Sequence, residues 1–197
     1  MIGSGKSTVG RLLADKMQLS EYQEKVDANP FFSLFLENPA EWAFHSQLFF
    51  LLAALKEQRK AALDPEGSVL ERIADEAYHI FSQEQHQKGW LSDKQLKVLQ
   101  ETLVSRGGSL SPDIIVFLEA TPETLLQRIQ TRGRQGEDNY DLDYLTALSA
   151  RYQDWKKALP SAKLITVDVS RCDLREDKEL SALAETIKAR LSDNTAE

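Results

Sequence analysis

A glycine-rich run at the start of the chain restricts the possible folds more than any other segment. Residues 3–8 read Gly-Ser-Gly-Lys-Ser-Thr, which is most of the phosphate-binding motif G-x-x-x-x-G-K-[ST]. In such a loop successive backbone N–H groups surround phosphate oxygens, and the helix that follows adds the positive end of its dipole. The run therefore predicts a loop that binds a triphosphate and opens a helix over residues 6–17.

The residues of this loop have distinct predicted roles. Lys6 would place its charge at the β- and γ-phosphates of ATP, and the Ser7 hydroxyl would help to hold Mg²⁺. The predicted nucleotide ligands in the loop are Gly3, Ser4, Gly5, Lys6, Ser7 and Thr8. ATP and Mg²⁺ are therefore the predicted cofactors.

The motif is incomplete at its start. Its first glycine would lie one position before Met1, and the sequence has no apolar strand leading into the loop. We expect a kinase-like domain that is cut short at its N-terminus. The alternative is a Gly/Ser-rich start without a binding role.

Composition favours an ordinary globular domain. The chain of 197 residues is 42% hydrophobic, which predicts a single domain over residues 1–197, with residues 171–197 as a closing loop and helix. A net charge of −7 argues against binding to nucleic acid polymers or to anionic membranes. The single cysteine, Cys172, excludes an internal disulfide. With no signal peptide or membrane span visible, we expect a cytoplasmic location.

Predicted strands alternate with predicted helices along the chain. We expect strands at residues 21–26, 68–70, 113–118 and 163–169, and helices at 39–63, 74–87, 92–105, 122–132, 140–157 and 179–191. This alternation is typical of an α/β fold with a parallel sheet and helices on both faces. The long helix, for which Asn38 is the predicted N-cap, is apolar almost all round over residues 48–55. This pattern predicts burial on two sides, against the sheet and a second subunit.

Three arginines lie close together near the end of one predicted helix. Arg128 and Arg132 share a helix face, and Arg134 follows a glycine. Cations this close repel one another unless anions lie between them. With a phosphate loop in the same chain, we interpret them as a lid over the transferring phosphates. The alternative is a solvated helix end that is stabilised by the helix dipole.

The order of the motifs resembles that of the deoxynucleoside kinase family. The matching features are Gly-Ser-Gly-Lys-Ser-Thr, Glu24 before Asn29-Pro30, residues 42–47, Glu71-Arg72, residues 120–124, Arg132-Gly-Arg134, and Tyr144-Leu145 followed by Trp155. The resemblance implies a P-loop NTPase-like fold whose five-stranded parallel sheet lacks its first strand here. It also implies a homodimer, and transfer of the γ-phosphate of ATP to the 5′-hydroxyl of a nucleoside.

The resemblance implies catalytic roles for Glu24 and Arg72 and a metal-binding role for Glu71. Glu24 would accept the proton of the 5′-hydroxyl. Arg72 would contact the 5′-oxygen and the transferred phosphoryl group, and Glu71 would be linked to Mg²⁺. The alternatives are a surface glutamate beside Lys25 and a Glu71–Arg72 pair that forms only a salt bridge.

Three more residues are implied as ligands of the nucleoside. Gln47 would bind the base through its amide, Phe81 would stack on the base, and Glu137 would bind the 3′-hydroxyl of the sugar. Gln47 filling a polar gap and Phe81 packing in the core are the alternatives.

The base preference stays open. Members of the family often discriminate between bases with an arginine on the long helix and an aspartate after the Glu-Arg pair. The corresponding residues here are Ala54 and Ala77. Two other functions remain possible at this point. One is a thymidylate-kinase-like nucleoside-monophosphate kinase, and the other is a catalytically inactive protein that binds nucleotides or forms interactions.

Overall fold

The computed structural model describes residues 1–105, 111–134, 137 and 140–194. In chain order its main elements are α1 (Lys6–Met17), β1 (Ser20–Tyr22), α2 (Phe32–Glu37), α3 (Pro39–Ala62), β2 (Ser68–Leu70), α4 (residues 74–87), α5 (Asp93–Ser105), β3 (Ile115–Glu119), α6 (Pro122–Arg132), α7 (Leu142–Lys157), β4 (Leu164–Asp168) and α8 (Asp177–Asn194). The α/β fold class and the alternation of elements are thus as predicted.

Local sequence explains where several helices begin. The Thr121 side chain accepts a hydrogen bond from the backbone N–H of Thr124 at the start of α6, as Ser, Thr and Asp do at N-caps. Asp141 accepts from Tyr144 in the same way, so α7 begins two residues later than predicted. Asn38 is the N-cap residue of α3, as predicted, but its side chain donates to the Glu41 carboxylate (2.9 Å) instead of accepting from a backbone N–H.

Helix α4 is not uniform. It joins α-helical Ala74–Glu76 and Gln83–Gln87 through a π turn at Ala77–Ser82. A π turn closes its hydrogen bonds over five residues rather than four, and such turns are frequent at functional sites.

The described strands form two parallel pairs rather than one continuous sheet. β1 pairs with β2 in the register Ser20↔Ser68, and β3 pairs with β4 in the register Ile115↔Leu164. A cavity of about 580 Å³ is lined by residues of both β2 and β3.

The strand predicted at residues 21–26 is too long. β1 ends at Tyr22, whose carbonyl accepts from the N–H of Glu71, and Val26–Ala28 form a 3₁₀ turn. The N–H of Glu24 donates to the Glu71 carboxylate (3.1 Å) rather than to a neighbouring strand. Glu24 therefore follows the strand instead of lying within it.

Three groups of buried apolar side chains hold the elements together. The first lies among the four helices α2, α3, α4 and α5. The second packs α1 and α8 on β3 and β4, and the third packs α6 and α7 on the other side of β3. On α3, Leu51 and Leu55 are buried but Leu52 is 40% exposed. The predicted burial of this helix on two sides is therefore not met within the single chain. No helix in the described part of the chain is long and apolar enough to cross a membrane.

Candidate active site

A cavity of about 630 Å³ lies where the phosphate loop meets the ends of β1 and β2. The residues predicted for the site that line it are Gly3, Gly5, Lys6, Ser7, Thr8, Glu24, Gln47, Glu71, Arg72, Phe81, Arg128, Arg132, Arg134 and Glu137. Ser4 is buried behind the loop, where its hydroxyl donates to the carbonyl of Met1 (2.8 Å). The fold therefore brings the predicted residues to one place.

The glycines of the loop are needed for different physical reasons. Gly3 and Gly5 both have positive φ, at 75° and 89°, which side chains rarely allow. A Cβ at Gly3 would also lie 2.8 Å from the carbonyl oxygen of Leu125, whereas nothing lies within 4 Å of a Cβ at Gly5. Gly5 also offers no side-chain cap to α1, so the first N–H groups of this helix are available to an anion.

Lys6 supplies positive charge at the loop. Its Nζ donates to the carbonyl of Met1 (2.9 Å). Burial, reinforced by the nearby charge of Arg72, lowers the pKa of Lys6, while Glu76 and Glu24 oppose the shift. Two cations held this close favour an anion between or beside them.

Ser7 and Glu71 come together at the end of the loop. The Ser7 hydroxyl donates to Oε1 of Glu71 (2.7 Å). Hydroxyl and carboxylate oxygens are donors that suit Mg²⁺, which usually keeps several waters and phosphate oxygens as its other ligands. Among the described residues no group of three or more His, Cys, Asp or Glu side chains could hold a metal by itself. The donor set therefore fits a phosphate-bound Mg²⁺.

Arg72 lies between two carboxylates. Its Nη1 donates to Glu76 (2.9 Å), and its Nε is 3.0 Å from the Glu24 carboxylate, a charge contact without hydrogen-bond alignment. The guanidinium also lies 4.6 Å from the ring centre of Phe81. Burial alone would lower the pKa of Arg72, but Glu24 and Glu76 raise it well above its usual value. Arg72 is therefore charged at any working pH.

Glu76 and Tyr152 complete this network, and neither is among the site residues predicted from the sequence. The Tyr152 hydroxyl donates to the same Glu76 oxygen that Arg72 contacts. Burial by itself would raise the pKa of Glu76, but Arg72 and the other nearby cations lower it on balance. The spacing of four residues between Arg72 and Glu76 was a readable helical signal. Tyr152 is distant in sequence and gave none.

The three arginines of the predicted lid have different partners. Arg128 donates to the carbonyl of Val169 (2.7 Å), whereas Arg132 and Arg134 lie 2.5 and 3.6 Å from the Glu137 carboxylate. The Glu137 carboxylate thus lies between the cations Arg132 and Arg134 and reduces their mutual repulsion. The predicted sugar ligand Glu137 is buried and already paired with arginine.

We call the part of the cavity lined by α2, α3, α4 and two tyrosines after α6 the nucleoside end, because the residues that the sequence predicts as ligands of a base, Gln47 and Phe81, line it. Gln47 is buried there. The surrounding aromatic side chains that the sequence did not predict for the site are Phe32, Phe35, Phe50, Tyr140 and Tyr144. Tyr140 and Tyr144 stack with ring centres 5.5 Å apart, and burial raises the pKa of both. Gln85, also missed, lines this end as well.

Of the two alanines at the positions of base discrimination, Ala77 lines the cavity and Ala54 packs in the core among α2, α3, α4 and α5. Both offer only a methyl group. The charged pair that the family often uses is therefore replaced here by apolar surface.

A glycine-rich loop at a helix N-terminus, with a lysine, clustered arginines and a carboxylate beside a cavity with aromatic walls, defines a P-loop phosphotransferase. The family model described as deoxynucleoside kinase matches residues 1–191. The chain belongs to the deoxynucleoside kinase family.

Individual relatives agree with this assignment. The deoxyadenosine/deoxycytidine kinase of Bacillus subtilis (strain 168) is 29% identical over 197 residues, which cover 98% of this chain and 91% of the relative. A deoxyguanosine kinase of Lactobacillus johnsonii is 31% identical, with coverage of 90% and 83%. The fold matches that of a deoxyadenosine kinase from M. mycoides at a TM-score of 0.84 and 21% identity, covering 96% of each chain.

These comparisons decide between the functions left open by the sequence. The chain is an enzyme that phosphorylates nucleosides, as in nucleoside salvage, with ATP as the phosphate donor of the family. A monophosphate kinase and a catalytically inactive protein are not favoured.

Proposed function

We propose that this kinase transfers the γ-phosphate of ATP to the 5′-hydroxyl of a deoxynucleoside, with Glu24 as the general base. The observation that carries the proposal is the contact of Glu24 with Arg72 in the cavity that also holds Lys6 and Ser7. A base, a cation and the phosphate loop would thus meet around one acceptor oxygen.

Glu24 is suited to take up a proton from an alcohol. Its side chain is 19% exposed, so it reaches the cavity while Arg72 keeps it oriented. Removal of the proton as the oxygen attacks makes that oxygen a better nucleophile. Arg72 would stabilise the negative charge at the attacked phosphoryl group, since its charge does not depend on pH in the working range.

The remaining cations would neutralise the charge spread over the phosphate oxygens. Lys6 lies at the loop, and the lid contributes Arg128, Arg132 and Arg134. Ser7 and Glu71 would hold Mg²⁺, which when bound adds positive charge at the phosphates. On this proposal, phosphate oxygens would compete with Glu137 and the Val169 carbonyl for the lid arginines.

The nucleoside would lie with its base between the aromatic side chains. We assign Gln47 to the base, Phe81 to a face of the base and Glu137 to the 3′-hydroxyl of the sugar. The nearest support is that all three line the same cavity.

Assembly and location are also part of the proposal. We infer a homodimer formed through α3, because Leu52 is 40% exposed within the apolar stretch of this helix. We also infer a cytoplasmic location, a protein that binds no nucleic acid polymer and no membrane, and substrates restricted to ATP and a nucleoside. The supports are the acidic net charge of −7 and a single cysteine.

Product analysis with ATP labelled at the γ-phosphate tests the reaction. Deoxynucleosides and their monophosphates are offered separately, and the labelled products are resolved by chromatography. We expect labelled monophosphate from at least one deoxynucleoside. Labelled diphosphate alone would identify a monophosphate kinase instead.

A further inference from the structure

Gln85 is a buried amide at the nucleoside end that the proposed chemistry does not use. It is 1% exposed, lies on α4 and lines the cavity. Within the part of the chain that the structure describes, its Oε1 atom is fully buried and has no hydrogen-bond partner. The backbone carbonyl of the same residue accepts from the N–H of Trp90 (2.9 Å). The backbone is therefore held at this point, whereas the amide oxygen has no partner and meets a ligand in the cavity only after rotation of the side-chain amide.

Another buried glutamine shows how the protein treats such a group elsewhere. Gln58 on α3 is 4% exposed and borders the cavity between β2 and β3. Its Oε1 accepts a hydrogen bond from the backbone N–H of Ala74 at 2.7 Å. A buried acceptor without a donor costs free energy, and such an atom in a native protein requires an explanation, often a ligand or water.

The face of α4 that carries Gln85 already belongs to the site. Ala77, Phe81 and Gln85 follow one another at intervals of four residues, and all three line the cavity. The π turn at Ala77–Ser82 precedes Gln85 on this face. Because the side chains of Ala77 and Phe81 have no polar atom, Gln85 is the residue of the three that can form a hydrogen bond with a base.

We propose that Gln85 determines base specificity by accepting, at Oε1, a hydrogen bond from the exocyclic amino group of the nucleobase. This inference rests on the proposed function. An amide places an acceptor beside a donor, so its NH₂ group can at the same time donate to the ring nitrogen next to that amino group. Adenine and cytosine present this arrangement, with amino groups at N6 and N4. Hypoxanthine and uracil carry a carbonyl oxygen in place of the amino group.

The test compares nucleosides that differ only in the exocyclic group. Binding and kcat/KM are measured for deoxyadenosine, 2′-deoxynebularine and deoxyinosine, and for deoxycytidine and its analogue without the 4-amino group. We expect the amino compound to be preferred by about 10- to 100-fold in at least one series, because loss of the amino group leaves a buried acceptor unpaired. Equal use of the compounds with and without the amino group in both series would overturn the proposal.

A variant of Gln85 tests whether this residue causes the preference for the amino compound. In Gln85→Leu the preference should fall to within about twofold, while the melting temperature stays equal or rises, since a buried unpaired acceptor has been removed. Gln58→Leu is the matched control: it should lower the melting temperature and keep the preference. If Gln85→Leu does not fold, Gln85→Met replaces it. A preference that survives in the folded variant would show that Gln85 is only structural.

Failure of this inference is distinct from failure of the proposed function. If the protein binds and phosphorylates nucleosides without regard to the amino group, the role of Gln85 is wrong and the kinase assignment stands. If no nucleoside is bound or phosphorylated, the proposed reaction itself is wrong.

Discussion

The nucleoside end of the cavity and the opposite end, which we call the phosphate end and which contains Lys6, Ser7, Glu24, Arg72 and the lid arginines, are built on different principles. At the phosphate end the charged groups have partners within the protein: Lys6 bonds the Met1 carbonyl, Arg72 contacts Glu24 and Glu76, and Arg132 pairs with Glu137. At the nucleoside end the walls are aromatic, and Gln85 has a buried acceptor without a partner in the described chain.

The difference shows how each end can recognise its ligand. Paired charges keep side chains oriented in the absence of ligand, and a phosphate then shares or replaces the existing partners. A buried amide oxygen without a partner lowers the stability of the protein, but it favours a ligand that can donate a hydrogen bond to it. We therefore expect substitution of Lys6 or Glu24 at the phosphate end to affect turnover, substitution of the supporting Glu76 to affect mainly stability, and substitutions at the nucleoside end to affect the choice of substrate.

The largest effect should follow Lys6→Ala. Removal of this charge should lower kcat/KM by about 10³, in the range seen when one group that stabilises a transition-state charge is lost. Steady-state kinetics with ATP as the varied substrate measure the effect. Lys16→Ala is the control, because Lys16 lies on the same helix but pairs with Asp177 outside the cavity. Similar losses in both variants would contradict a specific role of Lys6.

Glu24→Gln should have the next largest effect on activity. Loss of the base should reduce turnover by about 10² while ATP still binds. The comparison uses kcat and calorimetric ATP affinity, with Glu21→Gln on β1 as the control. Unchanged turnover in Glu24→Gln would remove Glu24 from the mechanism.

Glu76→Gln should act mainly on stability. It weakens a hydrogen bond between buried charged groups, which should cost about 2 kcal/mol of unfolding free energy at pH 7. The pKa of Glu76 is lowered from its usual 4.5 in the folded protein. Its stabilisation is thus present above that value and lost as the pH falls through the folded pKa.

Urea unfolding at several pH values between 7 and 3 checks this behaviour. The wild type should lose stability below pH 4.5 more steeply than Glu76→Gln, since the variant has no carboxylate there to protonate. Parallel pH profiles of the two proteins would show that the ion pair with Arg72 contributes nothing to the acid response.

The smallest effect is expected from Tyr152→Phe. Glu76 keeps its contact with Arg72 in this variant, so the loss should be about 1 kcal/mol of unfolding free energy. Turnover should remain within about threefold of the wild type. A control is Tyr22→Phe, which removes a hydroxyl that donates to Asp64 at a less buried place. A drop in turnover as large as that of Glu24→Gln would instead place Tyr152 in the mechanism.

The sequence predicted the phosphate end far better than the nucleoside end. The loop chemistry is local, so Gly3, Lys6 and Ser7 could be assigned from neighbouring residues, and the alternation of strands and helices predicted the fold class. Arg72 and Glu24 needed a family pattern as well, because β1 ends before Glu24.

What the sequence could not predict depends on contacts between distant elements. Tyr152 meets Glu76 only because α7 packs beside α4, and Gln85 is marked as unusual only by the absence of a partner in the described structure. Neither property has a signature in spacing or composition. Residue type alone leaves a buried glutamine with a partner and one without a partner indistinguishable.

The close packing of Gly3 against the backbone of α6 has a consequence for the evolution of this chain. In a descendant that no longer binds nucleotides, Gly5 could be replaced by a residue that tolerates positive φ, such as Asn, because the space around it is empty. Gly3 could not be replaced, because any side chain there would collide with the Leu125 carbonyl. A homologue that has kept the third residue but drifted at the fifth would therefore retain the architecture without its original purpose.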